Sequence, residues 1–212
     1  VAVIDREIIE NSPKLKVIAK HGAGYDSIDT KAAADNHVRV VFAPYANSLS
    51  VAEHTAALIL ACAKKIPFMA QQYRQGNYKA KDAYPNTELS GKVLGLVGLG
   101  RIGMAVAQIA MNGFGMNVEA YDPFIAKDKK VNGVTLLEDR DTLFKTADYI
   151  SVHAPATPEN IKSIGAREFA LMKSTAVIVN TARGKIIDEK ALIKAIEDGE
   201  IGGAGLDVTD PE

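Results

Sequence analysis

Cysteine is nearly missing from this chain: one, Cys62, among 212 residues. A single thiol excludes a disulfide framework and a cysteine zinc site, and it fits a reducing cytosol. An excess charge of one sign is missing too. The 25 Lys and Arg stand against 26 Asp and Glu, a net charge of −1 at pH 7. That balance argues against a general nucleic-acid binder, which needs a basic surface. The longest apolar run, Thr55 to Ala63, is far too short to span a bilayer. Asp5, Arg6 and Glu7 stand where a secretory signal would need an apolar segment. The expectations are therefore a cytoplasmic protein with no membrane, nucleic-acid or metal partner. What remains is 47% hydrophobic and 24% charged, the composition of an ordinary globular protein, with length for one large domain or two small ones. The chain begins at Val1 without Met and ends abruptly at Asp210-Pro211-Glu212, which reads as a fragment of a longer protein.

The first 46 residues read as strand, helix, strand. Val1–Ile4, Leu15–Ala19 and Val38–Ala43 are β-rich, and Thr30–Asn36 is helical. Ser50-Val51-Ala52-Glu53 has the form of a capping box, opening a long helix that is expected to run to about Gln72. Beyond Lys92, strands are expected at Val93–Val97, Asn117–Tyr121, Tyr149–His153, Ala176–Asn180 and Ala204–Val208. Helices at Arg101–Phe114, Thr142–Thr146, Arg167–Met172 and Glu189–Asp198 alternate with them. Such alternation means an α/β fold, a doubly wound parallel sheet of Rossmann type covered on both faces. The expected division is a partial second domain over 1–46 and a nucleotide-binding domain over 47–212 that includes the long linking helix.

Gly98-Leu99-Gly100-Arg101-Ile102-Gly103 is G-x-G-x-x-G, a weak signal alone. Here it follows a strand, opens a helix, and is followed by Asp122, 19 residues beyond Gly103, at the end of the next strand. Gly98 suits a tight turn, Gly100 a close approach of backbone to a pyrophosphate, and Gly103 close helix–strand packing. The helix N-terminus would face the phosphates. Asp122 would accept from a ribose 2′-hydroxyl and repel a 2′-phosphate, so NAD is expected rather than NADP. Open α/β sheets bind ligands outside the carboxyl ends of their strands. His153-Ala154-Pro155, Asn180-Thr181-Ala182-Arg183-Gly184 and Asp207 to Glu212 all fall at such ends. Arg183 can grip a carboxylate or polarise a carbonyl through two parallel N–H bonds, against the plainer reading of a scaffold ion pair. Among the histidines, His37 reads as surface, His54 as packing or solvent contact, His153 as a backbone contributor near the nucleotide, and His21 as a bystander. The Gln71–Tyr84 segment, with Tyr73, Tyr78 and Tyr84, reads as an exposed arm or subunit contact.

Taken in order, several segments together resemble the D-isomer-specific 2-hydroxyacid dehydrogenases. These are Gly22-Ala23-Gly24-Tyr25-Asp26, Asn47 to His54, Gly98–Gly103 with Asp122, Asn180–Gly184, and Asp207–Glu212, so that the resemblance covers essentially the whole chain. It implies an oxidoreductase that moves a hydride between NAD and a 2-hydroxy/2-keto acid pair, such as 3-phosphoglycerate or glyoxylate/hydroxypyruvate. The second domain would be the flavodoxin-like substrate domain, and the protein a homodimer through the Ser50 helix and the Gln71–Tyr84 arm. By resemblance, the Ala23-Gly24 backbone, Asn47 and Arg183 bind substrate. Arg101 and Ile102 meet the pyrophosphate, Ala154, Thr181 and Ala182 flank the nucleotide, and Asp207 lies near the nicotinamide carboxamide. Glu212 matches the acid that orients the catalytic histidine, and that histidine would lie beyond the last residue here. Two alternatives stay open: an NAD-sensing corepressor-like protein of the same fold, and a formate dehydrogenase, against which Glu212 argues.

Overall fold

The computed structural model describes residues 2–84, 86–125 and 131–211. It divides into two compact units, Val1–Ser48 and Leu49–Glu212. In the first, α1 (Arg6–Glu10) is capped by Asp5, whose carboxylate accepts the Ile8 N–H. α2 (Thr30–Asp35) is capped in the same way by Asp29, through the Ala32 N–H. β1 (Val17–Lys20) and β2 (Arg39–Phe42) pair in parallel with Ile18 opposite Val40. Ile9, Ile18, Ile28, Ala32, Ala33 and Val38 form the core of this unit. The expected opening strand shrinks to one parallel bridge between Ile4 and Ile28. Its continuation is pre-empted because Asp5 is already the cap of α1.

The expected helix from Ser50 to Gln72 is two helices. α3 (Ser48–Ala63) starts two residues earlier, so Ser50 lies inside it and is not the cap. α4 (Ile66–Arg74) follows a break at Lys65, which is left-handed at φ 51°. The cause is Pro67 in the first turn of α4, since a proline ring clashes with the carbonyl four residues back and offers no N–H. α5 (Ala80–Ala83) is a single turn inside the segment read as an arm.

The second unit carries a parallel sheet built from β3 (Val93–Val97), β4 (Asn117–Tyr121), β5 (Thr135–Leu136), β6 (Tyr149–Val152), β7 (Val177–Asn180) and β8 (Gly203–Leu206). Their spatial order is β5-β4-β3-β6-β7-β8. The two-residue β5 escaped the sequence pattern. One face packs on α3 and α6 (Arg101–Phe114) through Ala52, Ile59, Leu94, Leu96, Val106 and Ala110. The other packs on α7 (Arg140–Thr146), α8 (Ala166–Leu171) and α9 (Glu189–Glu197) through Leu143, Phe144, Ile150, Phe169, Ile178 and Leu192. Burial on both faces explains why β6 and β7 contain no exposed position. The chain winds outward from β3 to β5 on one side and from β6 to β8 on the other. The direction therefore reverses between β3 and β6, and a crevice opens beyond their carboxyl ends.

Candidate functional site

The turn between β3 and α6 sits at that reversal. Gly98 is at φ +95°, a left-handed conformation that side chains disfavour, and a Cβ there would lie 3.0 Å from the His153 carbonyl. A Cβ on Gly103 would lie 2.5 Å from the Gly98 oxygen, so α6 rests directly on the turn. At Gly100 a Cβ would meet nothing within 4 Å. Gly100 is the residue before α6, and no side chain caps that helix. Two glycines are thus closed by packing, and the third leaves backbone facing open space at a helix N-terminus.

Asp122, just past β4, accepts the Leu99 N–H at 2.8 Å through one carboxylate oxygen and the Phe124 N–H at 2.9 Å through the other. The acid therefore ties the end of β4 to the glycine turn, and each oxygen keeps a lone-pair direction free. Past β6, the His153 N–H donates to the Val97 carbonyl, and its Nε2 lies 2.9 Å from the hydroxyl of buried Ser151. Burial pushes the His153 imidazole down to about 4. A cavity of about 570 Å³ opens beside these residues, with Gly98, Gly100, Asp122, His153, Ala154 and Pro155 in its wall.

Past β7, Asn180 is 1% exposed and Thr181 8%. The Asn180 carboxamide accepts the Ala182 N–H at 3.0 Å and donates to the Arg183 carbonyl at 2.9 Å. The Thr181 and Thr55 hydroxyls are 2.8 Å apart, and Thr55 also donates to the Val51 carbonyl at 2.8 Å. Thr55 has one proton, so Thr181 is the donor between the two hydroxyls. Arg183 is extended at φ −147° and ψ 133°, donates to the Ala182 carbonyl, and precedes a short 3-10 turn, Gly184–Ile186. A Cβ on Gly184 would fall 2.0 Å from the Thr209 carbonyl oxygen, so this turn lies against the chain leaving β8. His54, read from the sequence as packing or solvent contact, is solvent exposed and also stands 3.3 Å from the Asp207 carboxylate. Both side chains of that pair are half exposed, so it contributes little to stability.

The structure therefore brings Gly98, Gly100, Arg101, Ile102, Gly103, Asp122, His153, Ala154, Pro155, Thr181, Ala182, Arg183 and Asp207 to the carboxyl edge of one sheet. Ala23, Gly24 and Asn47 belong to the other unit, in the loop after β1 and the turn before α3. Glu212 lies outside the described residues. The paired bonds of Asn180 and the contacts made by Thr55 and His54 were not foreseen. Asn180 opens the Asn180–Gly184 segment, but nothing in spacing reveals which way its amide turns. Among the described residues no cluster of three His, Cys, Asp or Glu could hold a metal, and no helix is long and apolar enough to cross a membrane.

Residues 56–212 match the family described as D-isomer specific 2-hydroxyacid dehydrogenase, NAD binding domain. The chain belongs to this family. It is 46% identical to the D-3-phosphoglycerate dehydrogenase of Methanocaldococcus jannaschii over 99% of its own length and 40% of that protein's. It is 39% identical to the glyoxylate reductase of Thermococcus litoralis, over 99% of the chain and 65% of the relative. A solved D-lactate dehydrogenase from Aquifex aeolicus, complexed with NAD and lactic acid, superposes with a TM-score of 0.89 at 35% identity, covering 98% of this chain and 62% of that one. The chain thus spans about two fifths of the length of the phosphoglycerate dehydrogenase it matches. The residues of this family member fit NAD. An open glycine face, an uncapped helix N-terminus and an acid surround one cavity.

Proposed function

We propose that this chain is the NAD-binding part, with a portion of the substrate domain, of an NAD-dependent dehydrogenase that interconverts a D-2-hydroxy acid and its 2-keto acid. The observation that carries this reading is the shared sheet edge, where the Gly98–Gly103 turn with Asp122 and the Asn180–Gly184 turn with Arg183 end strands of one parallel sheet. Residues 1–46 are assigned to the substrate domain and 47–212 to the nucleotide domain. When bound, NAD supplies the acceptor or donor for the hydride.

The chain's own residues supply the rest. Backbone N–H groups at Gly100, Arg101 and Ile102, aided by the α6 dipole, hold the pyrophosphate. Asp122 accepts from the ribose hydroxyls. Ala154, Thr181, Ala182 and Asp207 flank the nucleotide, with His153 and Pro155 contributing the wall. Ala23, Gly24 and Asn47 are assigned to substrate binding. The planar guanidinium of Arg183 grips the substrate between carboxylate and carbonyl oxygen, where negative charge grows during reduction. The alkoxide so formed needs a proton donor. His153 is unsuited to that role, because its imidazole, pushed to about 4, is neutral at physiological pH. The donor is assigned to a histidine outside this sequence, oriented by Glu212.

The 46% identity to a D-3-phosphoglycerate dehydrogenase makes 3-phosphoglycerate the first substrate to assay, with glyoxylate and hydroxypyruvate next. A cytoplasmic homodimer is the proposed form. The test is NAD reduction by the intact protein with 3-phosphoglycerate, and NADH oxidation with a panel of 2-keto acids that includes glyoxylate and hydroxypyruvate. Turnover of at least one supports the reading, and NADH binding without any turnover favours a sensing protein of the same fold.

A further inference from the structure

We infer that Asn180 is a positioning residue for Arg183, holding the peptide groups on either side of it so that the guanidinium is aimed before substrate arrives. The inference rests on the reading of Arg183 as the substrate's grip.

Asn180 ends β7 with 1% of its surface exposed, so its carboxamide has no recourse to water. A buried amide is tolerated where its donor and acceptor are both used. Both are used on the same turn. The carboxamide oxygen takes the Ala182 N–H at 3.0 Å, and the nitrogen gives to the Arg183 carbonyl at 2.9 Å. Every backbone torsion of Ala182 and Arg183 lies between those two anchored groups, so one side chain fixes the path of the chain through the arginine.

The residue type is matched to this task. Aspartate keeps the acceptor but loses the donor toward Arg183, a leucine of similar shape keeps neither, and glutamine has an extra methylene. The main chain of Asn180 also accepts the Asp207 N–H at 3.0 Å, which ties the same residue to the chain leaving β8. The side chain of Asn180 forms its bonds inside the turn and needs no contact with substrate. Its effect is therefore transmitted through Arg183.

A double-mutant cycle on kcat/KM for keto-acid reduction by the intact protein tests this, because a merely structural role multiplies independently of what stands at position 183. Misplacement of a reacting partner by about 1 Å costs about 100-fold, so Asn180→Ala is expected to lower kcat/KM by about 10- to 100-fold. In an Arg183→Lys background, where the planar fork is already gone, the same change is expected to cost less than about threefold. Asn180→Asp, which retains the bond to Ala182, gives a second cycle should the alanine variant fold poorly, with the same inequality expected. Equal losses in both backgrounds, or no loss in either, overturn the role of Asn180 alone. Wild-type kcat/KM in Arg183→Lys by itself overturns the reading of Arg183 and the Asn180 role with it.

Discussion

The Asp122 carboxylate accepts the Leu99 N–H at 2.8 Å, joining the acid at the end of β4 to the middle of the glycine turn. Asp122, the proposed ribose acceptor, is thus also a brace for the glycine turn. A hydrogen bond to a charged acceptor contributes about 1.5–3 kcal/mol. Asp122→Ala is therefore expected to weaken NADH binding at least tenfold and to leave NADPH binding little changed, because the repulsion of the 2′-phosphate is relieved as the brace is lost. Fluorescence titration with both nucleotides checks this. Comparable kcat/KM for NADH and NADPH in the unaltered protein would falsify the assignment.

His153 gives the fold a sensitivity to acid. Its ordinary value is near 6.5, and burial lowers it to about 4 in the folded chain. Between those values the unfolded chain binds the additional proton, so stability is whole above about 6.5 and declines as the pH falls toward 4. Denaturant midpoints measured at pH 7.5 and pH 5 should drop more in the unaltered protein than in His153→Gln. An identical drop in both would assign the acid sensitivity elsewhere.

Gly184 is the point where the arginine turn touches the chain leaving β8. A methyl group there would stand 2.0 Å from the Thr209 oxygen and 2.8 Å from the Asp210 nitrogen, both main-chain atoms that cannot rotate aside. Gly184→Ala should cost about 1–3 kcal/mol of stability, the usual range for overpacking. It should also reduce keto-acid turnover, by separating Arg183 from the segment that leads to Glu212. An unchanged urea midpoint is the result that refutes this.

Homodimerisation through α3–α5 predicts a particular surface. Leu49, Ile66, Tyr73, Tyr78 and Tyr84 are exposed by 43–67% along this stretch, while the buried stripe of α3 is Ala52, Thr55, Ala56, Ile59 and Ala63. Tyrosines of this kind are enriched at interfaces. Sedimentation at micromolar concentration should give a dimer, and Tyr78→Asp with Ile66→Asp should shift it toward monomer. A monomer before any substitution removes the proposal.

How much of this was readable in advance varies by element. β3, α6 and β4 stand at their expected bounds, because a glycine turn between an apolar strand and an amphipathic helix is signalled by neighbours in the chain. α3 and α4 merged in the sequence reading because the run of Ala, Leu and Ile continues to the break, and one proline marks the interruption. β5 has two residues and exists only because Glu119 and Ala120 of β4 offer it partners. Thr55 looked like one more helical residue, yet its hydroxyl meets Thr181 from 126 positions away.

The sequence alone determined the alternation of strands and helices, the glycine turn and the acid that follows it. Each of these rests on local backbone freedom, on periodicity, or on a short spacing. The tertiary structure alone decided the strand order and hence the reversal between β3 and β6 that gathers the loops into one crevice. It also decided the depressed imidazole of His153 and the closed ring of bonds around Arg183. Strand pairing, desolvation and the direction of a buried amide all depend on groups far away in the chain, and only packing brings those groups together.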